Sequence, residues 1–180
     1  MRQTNRLSIQ NLCIASLLLA TGILLPAVFH LIGGPAAGGM LLPMHIPVLI
    51  AGMMLGPFYG AVVGVFIPVV SLLLTGMPDA AKLPFMILQL VSFGFVSGYL
   101  QSKKCSLYFS LICAQITGWL VNAAALLIAS EILKLHFPPV ATVVTALITG
   151  IPGIIVQLIF IPVIVRLLRK VIHVDRYSES

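Results

Sequence analysis

The chain has 180 residues, of which 60% are hydrophobic and only 8% are charged, with 10 Lys or Arg and 4 Asp or Glu. A soluble domain normally carries about 25–35% charged residues on its surface, and a disordered chain is poor in apolar residues, so this composition excludes both classes. It predicts an integral membrane protein. Because a transmembrane helix takes about 20 apolar residues, residues 1–180 form a single membrane domain with room for about six or seven spans.

Apolar runs separated by turn residues predict six transmembrane helices. The first run ends at the Gly- and Pro-rich segment 33–39, which we expect to be a flexible loop. Gly56-Pro57 divides the next two runs, and polar or Pro-containing turns close the others. The sequence therefore predicts an all-α bundle with spans at about 12–31, 43–55, 58–75, 83–100, 107–130 and 140–168.

The distribution of basic residues predicts the orientation of the bundle. If both termini are cytoplasmic and six helices cross the membrane, only Lys82 and Lys134 of the ten Lys and Arg residues lie outside. Cytoplasmic loops of membrane proteins carry an excess of Lys and Arg, so this orientation is favoured. The basic residues are expected to contact anionic lipid, and nucleic acid is not implied.

Several functions are disfavoured by missing motifs. The sequence has no phosphate-binding loop with its lysine and no paired carboxylates, so neither ATP hydrolysis nor other catalysis by this chain is expected. No metal or cofactor is expected, because the three cysteines lack metal-binding spacing. Ion-coupled transporters usually place ionisable groups at membrane depth, whereas the four acidic residues here lie at span ends or in the C-terminal tail: Asp79, Glu131, Asp175 and Glu179.

Polar side chains interrupt two of the apolar spans. In the fifth span Gln115, Trp119 and Asn122 stand at i, i+4 and i+7, so they share one face of a helix. Gln89 lies within the fourth span. Such groups either form interhelical hydrogen bonds, which stabilise membrane bundles by about 0.6 kcal/mol per pair on average, or line a pocket for a polar, ring-bearing solute. Both interpretations remain open for these four residues.

His45 stands at the start of the second span, between Pro43 and Pro47. Because proline leaves nearby carbonyls without their helical donors, the imidazole either bonds such a carbonyl or contacts a ligand beside the loop 33–39, which would act as a lid. We predict that the ligand contacts come from seven residues: Met44, His45, Thr75, Gln89, Gln115, Trp119 and Asn122.

The stretch LLPMHIPVLIAGMMLGPFYGAVVG (41–64), followed by LLLTGMP (72–78), resembles the S component of an energy-coupling factor (ECF) transporter. The resemblance extends over nearly the whole chain. It implies a bacterial cell-membrane protein that binds a water-soluble vitamin from outside. It also implies a partner module, made of a scaffold membrane subunit and two cytoplasmic ATPases, on which the loaded S component docks and topples within the bilayer.

The resemblance further implies docking through an Ala-x-x-x-Ala motif on the first helix, where this chain has the relaxed form Ser16-x-x-x-Ala20. The vitamin stays open. Pantothenate carries a carboxylate, for which only Lys82 or a protonated His45 is available, whereas pyridoxine-like or pyrimidine compounds suit an amide-rich pocket better. Two alternatives remain, a secondary transporter that works alone and a structural membrane subunit without a ligand.

Overall fold

The computed structural model describes residues 9–76, 78–133 and 139–171, and only the backbone of residues 30, 32–39, 131–133 and 139–142. The described residues form six α-helices and no strand, which confirms the all-helical prediction. Four of the cations used above for the orientation lie outside this part of the chain: Arg2, Arg6, Lys134 and Arg176. The helices are α1 (Ile9–Leu41), α2 (His45–Leu55), α3 (Pro57–Thr75), α4 (Leu83–Ser102), α5 (Leu107–Leu133) and α6 (Pro139–Val171).

Five of the six helices are long and apolar enough to cross a membrane, and α2 is the exception. Its 11 residues extend over about 17 Å, roughly half of the 30 Å hydrocarbon core of a bilayer. Nine of them are buried. The predicted span 43–55 is therefore a buried helix that is too short to cross a membrane by itself.

The surface of the bundle is apolar. Leu17 on α1, Phe66 on α3 and Leu120 on α5 are 68%, 50% and 64% exposed. A water-soluble monomer rarely exposes large contiguous apolar patches, whereas hydrocarbon chains solvate them well. The outward-facing residues thus fit a lipid surface.

Two glycines with positive φ shape the ends of α2 and α3. Gly56 has φ 100° and forms the whole connection between these helices, with Pro57 as the first residue of α3, where its missing N–H costs no helical hydrogen bond. Gly76 has φ 72° and donates its N–H to Leu72 O at 2.9 Å, as expected for a glycine that ends a helix. The turn at Gly56 places α2 and α3 antiparallel and side by side, and Gly76 ends α3.

Glycines also set the closest approach of α2, α3 and α4. A Cβ on Gly60 or Gly94 would lie within 3 Å of the other residue's backbone, and a Cβ on Gly52 would overlap the carbonyl of Gly94. Small residues let membrane helices pack backbone to backbone. This three-helix crossing fixes α2 against α4, and it thereby fixes the position of His45 at the start of α2.

The segment 33–39 is helical, so the predicted loop and lid at these residues are wrong. The backbone of α1 continues through it as far as Leu41. In an apolar environment every backbone N–H and C=O needs a partner, and a helix supplies these partners locally, which is why membrane helices tolerate Gly and Pro.

The helix α1 is bent. Gly22 lies against Pro47 in the first turn of α2, and Leu42, directly after α1, accepts a hydrogen bond from His45 N–H at 3.1 Å. In a straight helix Gly22 and Leu42 would be about 30 Å apart, so α1 turns back towards the start of α2. Pro26 and the segment 33–39 supply the residue types at which helices bend.

Arg169 joins four helices at one end of the bundle. Its guanidinium donates to Met53 O on α2 at 3.3 Å and to Gln101 Oε1 on α4 at 2.8 Å, and Gln101 Nε2 donates to Ser110 Oγ on α5 at 2.8 Å. We call this arrangement the arginine clamp. The same end, termed the basic end, carries four more cations: Lys103, Lys104, Arg166 and Lys170.

Candidate functional site

The first residue of α2 lies deep inside the bundle. His45 is 2% exposed, and its ring centroid is 4.8 Å from that of Phe93 and 6.5 Å from that of Trp119. Phe93 and Trp119 lie near the middle of α4 and α5. The imidazole is therefore about halfway between the two ends of the bundle, because α2 extends over only half of its length.

The three rings pack edge to face. The His45 plane makes angles of 63° with Phe93 and 72° with Trp119, the T-shaped arrangement that aromatic pairs favour. Gly118 makes room for this packing, because a Cβ at this position would overlap the Phe93 ring. Aromatic side chains from both α4 and α5 thus pack against the imidazole.

Four of the seven predicted ligand residues carry a buried polar atom without a hydrogen-bond partner. In the described part of the chain, five buried side-chain nitrogen or oxygen atoms lack a partner, and the fifth is the Tyr59 hydroxyl on α3. An unpaired buried donor or acceptor costs about 1–3 kcal/mol, so native structures usually supply one. We call the four residues the polar cluster, and the atoms are His45 Nδ1, Gln89 Nε2, Gln115 Oε1 and Trp119 Nε1.

A glutamine that the sequence analysis did not single out holds part of this cluster in place. Gln157 on α6 is fully buried. Its Oε1 accepts a hydrogen bond from Gln115 Nε2, and its Nε2 donates to Leu42 O at 3.4 Å. The signal was present in the sequence, because Gln157 is the only amide side chain in α6.

A cavity of about 420 Å³ lies between α5 and α6. Small-molecule sites measure about 300–1,000 Å³, and this cavity lies within that range. Its surface is apolar, and Ile112, Ile116 and Leu120 at its rim are exposed on the outside of the bundle. The cavity and the polar cluster meet at Gln115 and Trp119, which line it, whereas His45 and Gln89 lie beyond its lining. Its other lining residues are Ile112, Ile116, Leu120, Ala123, Val143, Leu147, Ile154 and Leu158.

None of the unpaired buried atoms of the described residues belongs to the other three predicted ligand residues. Met44 is buried in the hydrophobic core beside His45. Asn122 is half-buried on α5, and the described cavity lining does not include it. Thr75 is exposed at the end of α3, and its hydroxyl donates to Ser71 O at 2.7 Å. Of the seven residues, His45 and Trp119 are in ring contact, Gln115 and Trp119 line the same cavity, and Gln89 stands one helical turn before Phe93, whose ring packs on His45.

The two predicted docking residues are accessible. Ser16 and Ala20 are both exposed on α1, and Ser16 Oγ donates to Leu12 O at 2.9 Å within the helix. A hydroxyl bonded to its own helix leaves a small, non-polar contact surface. These positions thus offer a flat site at which another helix could approach closely.

No charged residue lies within the helical segments that surround the polar cluster, since residues 42–75, 83–102 and 107–130 contain none. The described charged side chains stand near the two ends of the bundle, with Asp79 and Lys82 at one end and the five cations at the basic end. The site can therefore recognise a solute through hydrogen bonds, ring contacts and apolar surface, but it offers no ion pair.

Comparison with known proteins gives one finding. The family model described as "ECF transporter, substrate-specific component" matches residues 10–165. No curated protein and no solved structure gives a significant match to the chain. The matched range includes the whole polar cluster, Gln157 and both predicted docking residues.

Proposed function

Because the chain belongs to the substrate-specific components of ECF transporters, we propose that it captures a water-soluble vitamin at the outer side of a bacterial cell membrane. The loaded protein then docks on a scaffold membrane subunit with two cytoplasmic ATPases, topples within the bilayer and releases the vitamin inside. The partner ATPases supply the energy. The candidate ligands are a pyridoxine-like compound, a pyrimidine or pantothenate.

The observation that carries this proposal is the polar cluster beside the cavity. Two of the four residues with unpaired polar atoms, Gln115 and Trp119, line an apolar cavity of about 420 Å³, which is enough for a small vitamin. A bound solute would supply the missing hydrogen bonds and fill the apolar space. Both effects favour the loaded state, because an unpaired buried atom is costly and apolar contact is favourable.

The surface of α1 supports the docking step. Ser16 and Ala20 are exposed one turn apart, and small residues at this spacing are typical of helix–helix contacts in membranes. The cations at the basic end support an orientation in which that end, together with both termini, faces the cytoplasm. The opposite end then faces the vitamin outside.

The first experiment expresses the chain without partners and identifies the small molecules that the purified protein releases, by mass spectrometry. One vitamin recovered at about one per protein supports the proposal and names the ligand. An empty protein whose melting temperature no vitamin raises contradicts it. Uptake into vesicles that lack any ATPase would instead support a secondary transporter that works alone.

A matched pair of variants tests whether the vitamin binds in the cavity. Ala123→Phe inserts a ring into the cavity, because Ala123 lines it, and we expect it to weaken vitamin binding at least tenfold. Ala124→Phe makes the same change at the next residue, which is exposed on the lipid-facing side, and should bind normally. Equal affinities in the two variants would place the ligand outside this cavity.

A further inference from the structure

We propose that the polar cluster selects an uncharged, planar heteroaromatic solute and rejects solutes that carry a carboxylate. This inference rests on the proposed function and specifies the ligand class of the same site. It follows from the donors and acceptors that the site leaves open, from the aromatic side chains around them and from the absence of charge.

The unpaired atoms define what the solute must offer. Trp119 Nε1 is always a donor, Gln89 Nε2 is a donor and Gln115 Oε1 is an acceptor. His45 Nδ1 donates or accepts according to the tautomer. The complementary solute therefore has at least two acceptors, such as ring nitrogens or carbonyl oxygens, and one donor such as an amino or hydroxyl group.

The aromatic residues favour a flat solute. Trp119 lines the cavity, so the face of its indole is available to a ring placed there. A planar ring placed in the cavity lies against the indole, and its polar edge points towards the cluster. Aromatic pairs of this kind contribute beyond the apolar area that they bury.

A carboxylate finds no compensating charge at this depth, because the surrounding helical segments contain no Lys or Arg. The start of α2 lies in the cluster, and a helix N-terminus can attract anions. Here, however, His45 N–H already donates to Leu42 O, and Pro47 has no N–H. A buried anion without a partner is strongly unfavourable, so charge is a cause of rejection.

The experiment compares ligand pairs that differ mainly in charge, using the full chain purified in detergent or nanodiscs. The pairs are pyridoxine with 4-pyridoxate and panthenol with pantothenate, together with an uncharged aminopyrimidine alcohol. Trp119 is the only tryptophan in the chain, so a change in its fluorescence reports binding at the site directly. We expect at least one uncharged ring compound to bind, and its carboxylate counterpart to bind about 100-fold more weakly.

Variants of the polar cluster distinguish a loss of ligand contacts from a loss of folding. Trp119→Phe keeps a ring and removes the indole donor, and Gln89→Leu removes the amide. Each should weaken binding about tenfold or more when measured by calorimetry, while the lipid-facing control Phe95→Leu binds normally. Size-exclusion profiles and melting temperatures verify that each variant is folded.

The outcomes distinguish this inference from the proposed function. A carboxylate vitamin that binds as tightly as its uncharged counterpart overturns the inference and leaves the vitamin-binding role intact. Normal binding in folded Trp119→Phe and Gln89→Leu variants also overturns it, because the cluster would then not contact the ligand. If no compound in a full vitamin panel binds, the proposed function itself fails.

Discussion

The hydrogen bond between Gln115 and Gln157 gives the sharpest test of how the bundle is held together. Gln157 is fully buried, and its Oε1 is the acceptor for Gln115 Nε2 across the α5–α6 interface. Replacing Gln157 with leucine keeps a side chain of similar size and removes the amide oxygen and the amide nitrogen. The variant leaves Gln115 Nε2 as a buried donor without a partner.

The size of the effect can be bounded from two sides. A buried donor without a partner costs about 1–3 kcal/mol, but polar pairs in membrane proteins couple by only about 0.6 kcal/mol on average and at most about 1.7 kcal/mol. The second bond of Gln157, to Leu42 O at 3.4 Å, is longer than the usual range of about 2.7–3.2 Å, so it adds little. We expect Gln157→Leu to lower the free energy of unfolding by about 1–2 kcal/mol.

A double-mutant cycle isolates the pair. The assay follows helix content by circular dichroism while SDS replaces a mild detergent, for the wild type, Gln115→Leu, Gln157→Leu and the double variant. The double variant should be about 1 kcal/mol more stable than the sum of the single losses predicts. A control cycle of Gln115→Leu with Ser71→Ala, a buried serine on α3, should be additive within about 0.5 kcal/mol. A coupling no larger than in the control cycle would show that the two glutamines do not interact.

Three further changes probe other parts of the molecule. Gly94→Ala places a methyl group against the backbone of α3 and should lower the free energy of unfolding by about 1–3 kcal/mol in the same SDS titration; an unchanged midpoint would mean that these helices are not in backbone contact. Arg169→Gln removes the bonds to Gln101 and to α2 and should cost about 1–2 kcal/mol, whereas Lys170→Gln, at the next residue, should cost less than about 0.5 kcal/mol. Ala20→Leu should reduce co-purification with the scaffold subunit and ATPases without lowering the melting temperature, and an undiminished yield would move the docking surface away from this part of α1.

The sequence was sufficient for the elements that depend on local composition. Apolar runs of about 20 residues and the turns at Gly56 and Gly76 are visible without any tertiary contact. The five helices that are long enough to cross a membrane could therefore be predicted, with boundaries correct to within a few residues except at the C-terminal end of α1. The segment 33–39 was predicted wrongly, because Gly and Pro indicate loops in water, whereas an apolar environment favours continued helical hydrogen bonding. The length of α2 was predictable, but the position of its first residue halfway along the bundle follows from the glycine crossing with α3 and α4.

The candidate site shows where sequence reasoning reaches its limit. Gln89, Gln101, Gln115 and Gln157 look equivalent in the sequence, as amides within apolar helices or at their ends. The structure separates them by their hydrogen bonds: Gln101 and Gln157 each bond to neighbouring helices.

Gln89 Nε2 has no partner, and Gln115 has one amide atom bonded and one open. The hydrogen bonds of Gln101 and Gln157 to neighbouring helices stabilise the bundle. The unpaired amide atoms of Gln89 and Gln115 can bond only to a solute or a water molecule. These differences depend on contacts between residues as far apart as Gln115 and Gln157 or Met53 and Arg169, and no local pattern encodes them. The residue types suitable for a ligand site can therefore be read from the sequence, whereas the ones that remain available to a ligand are decided by how the helices pack.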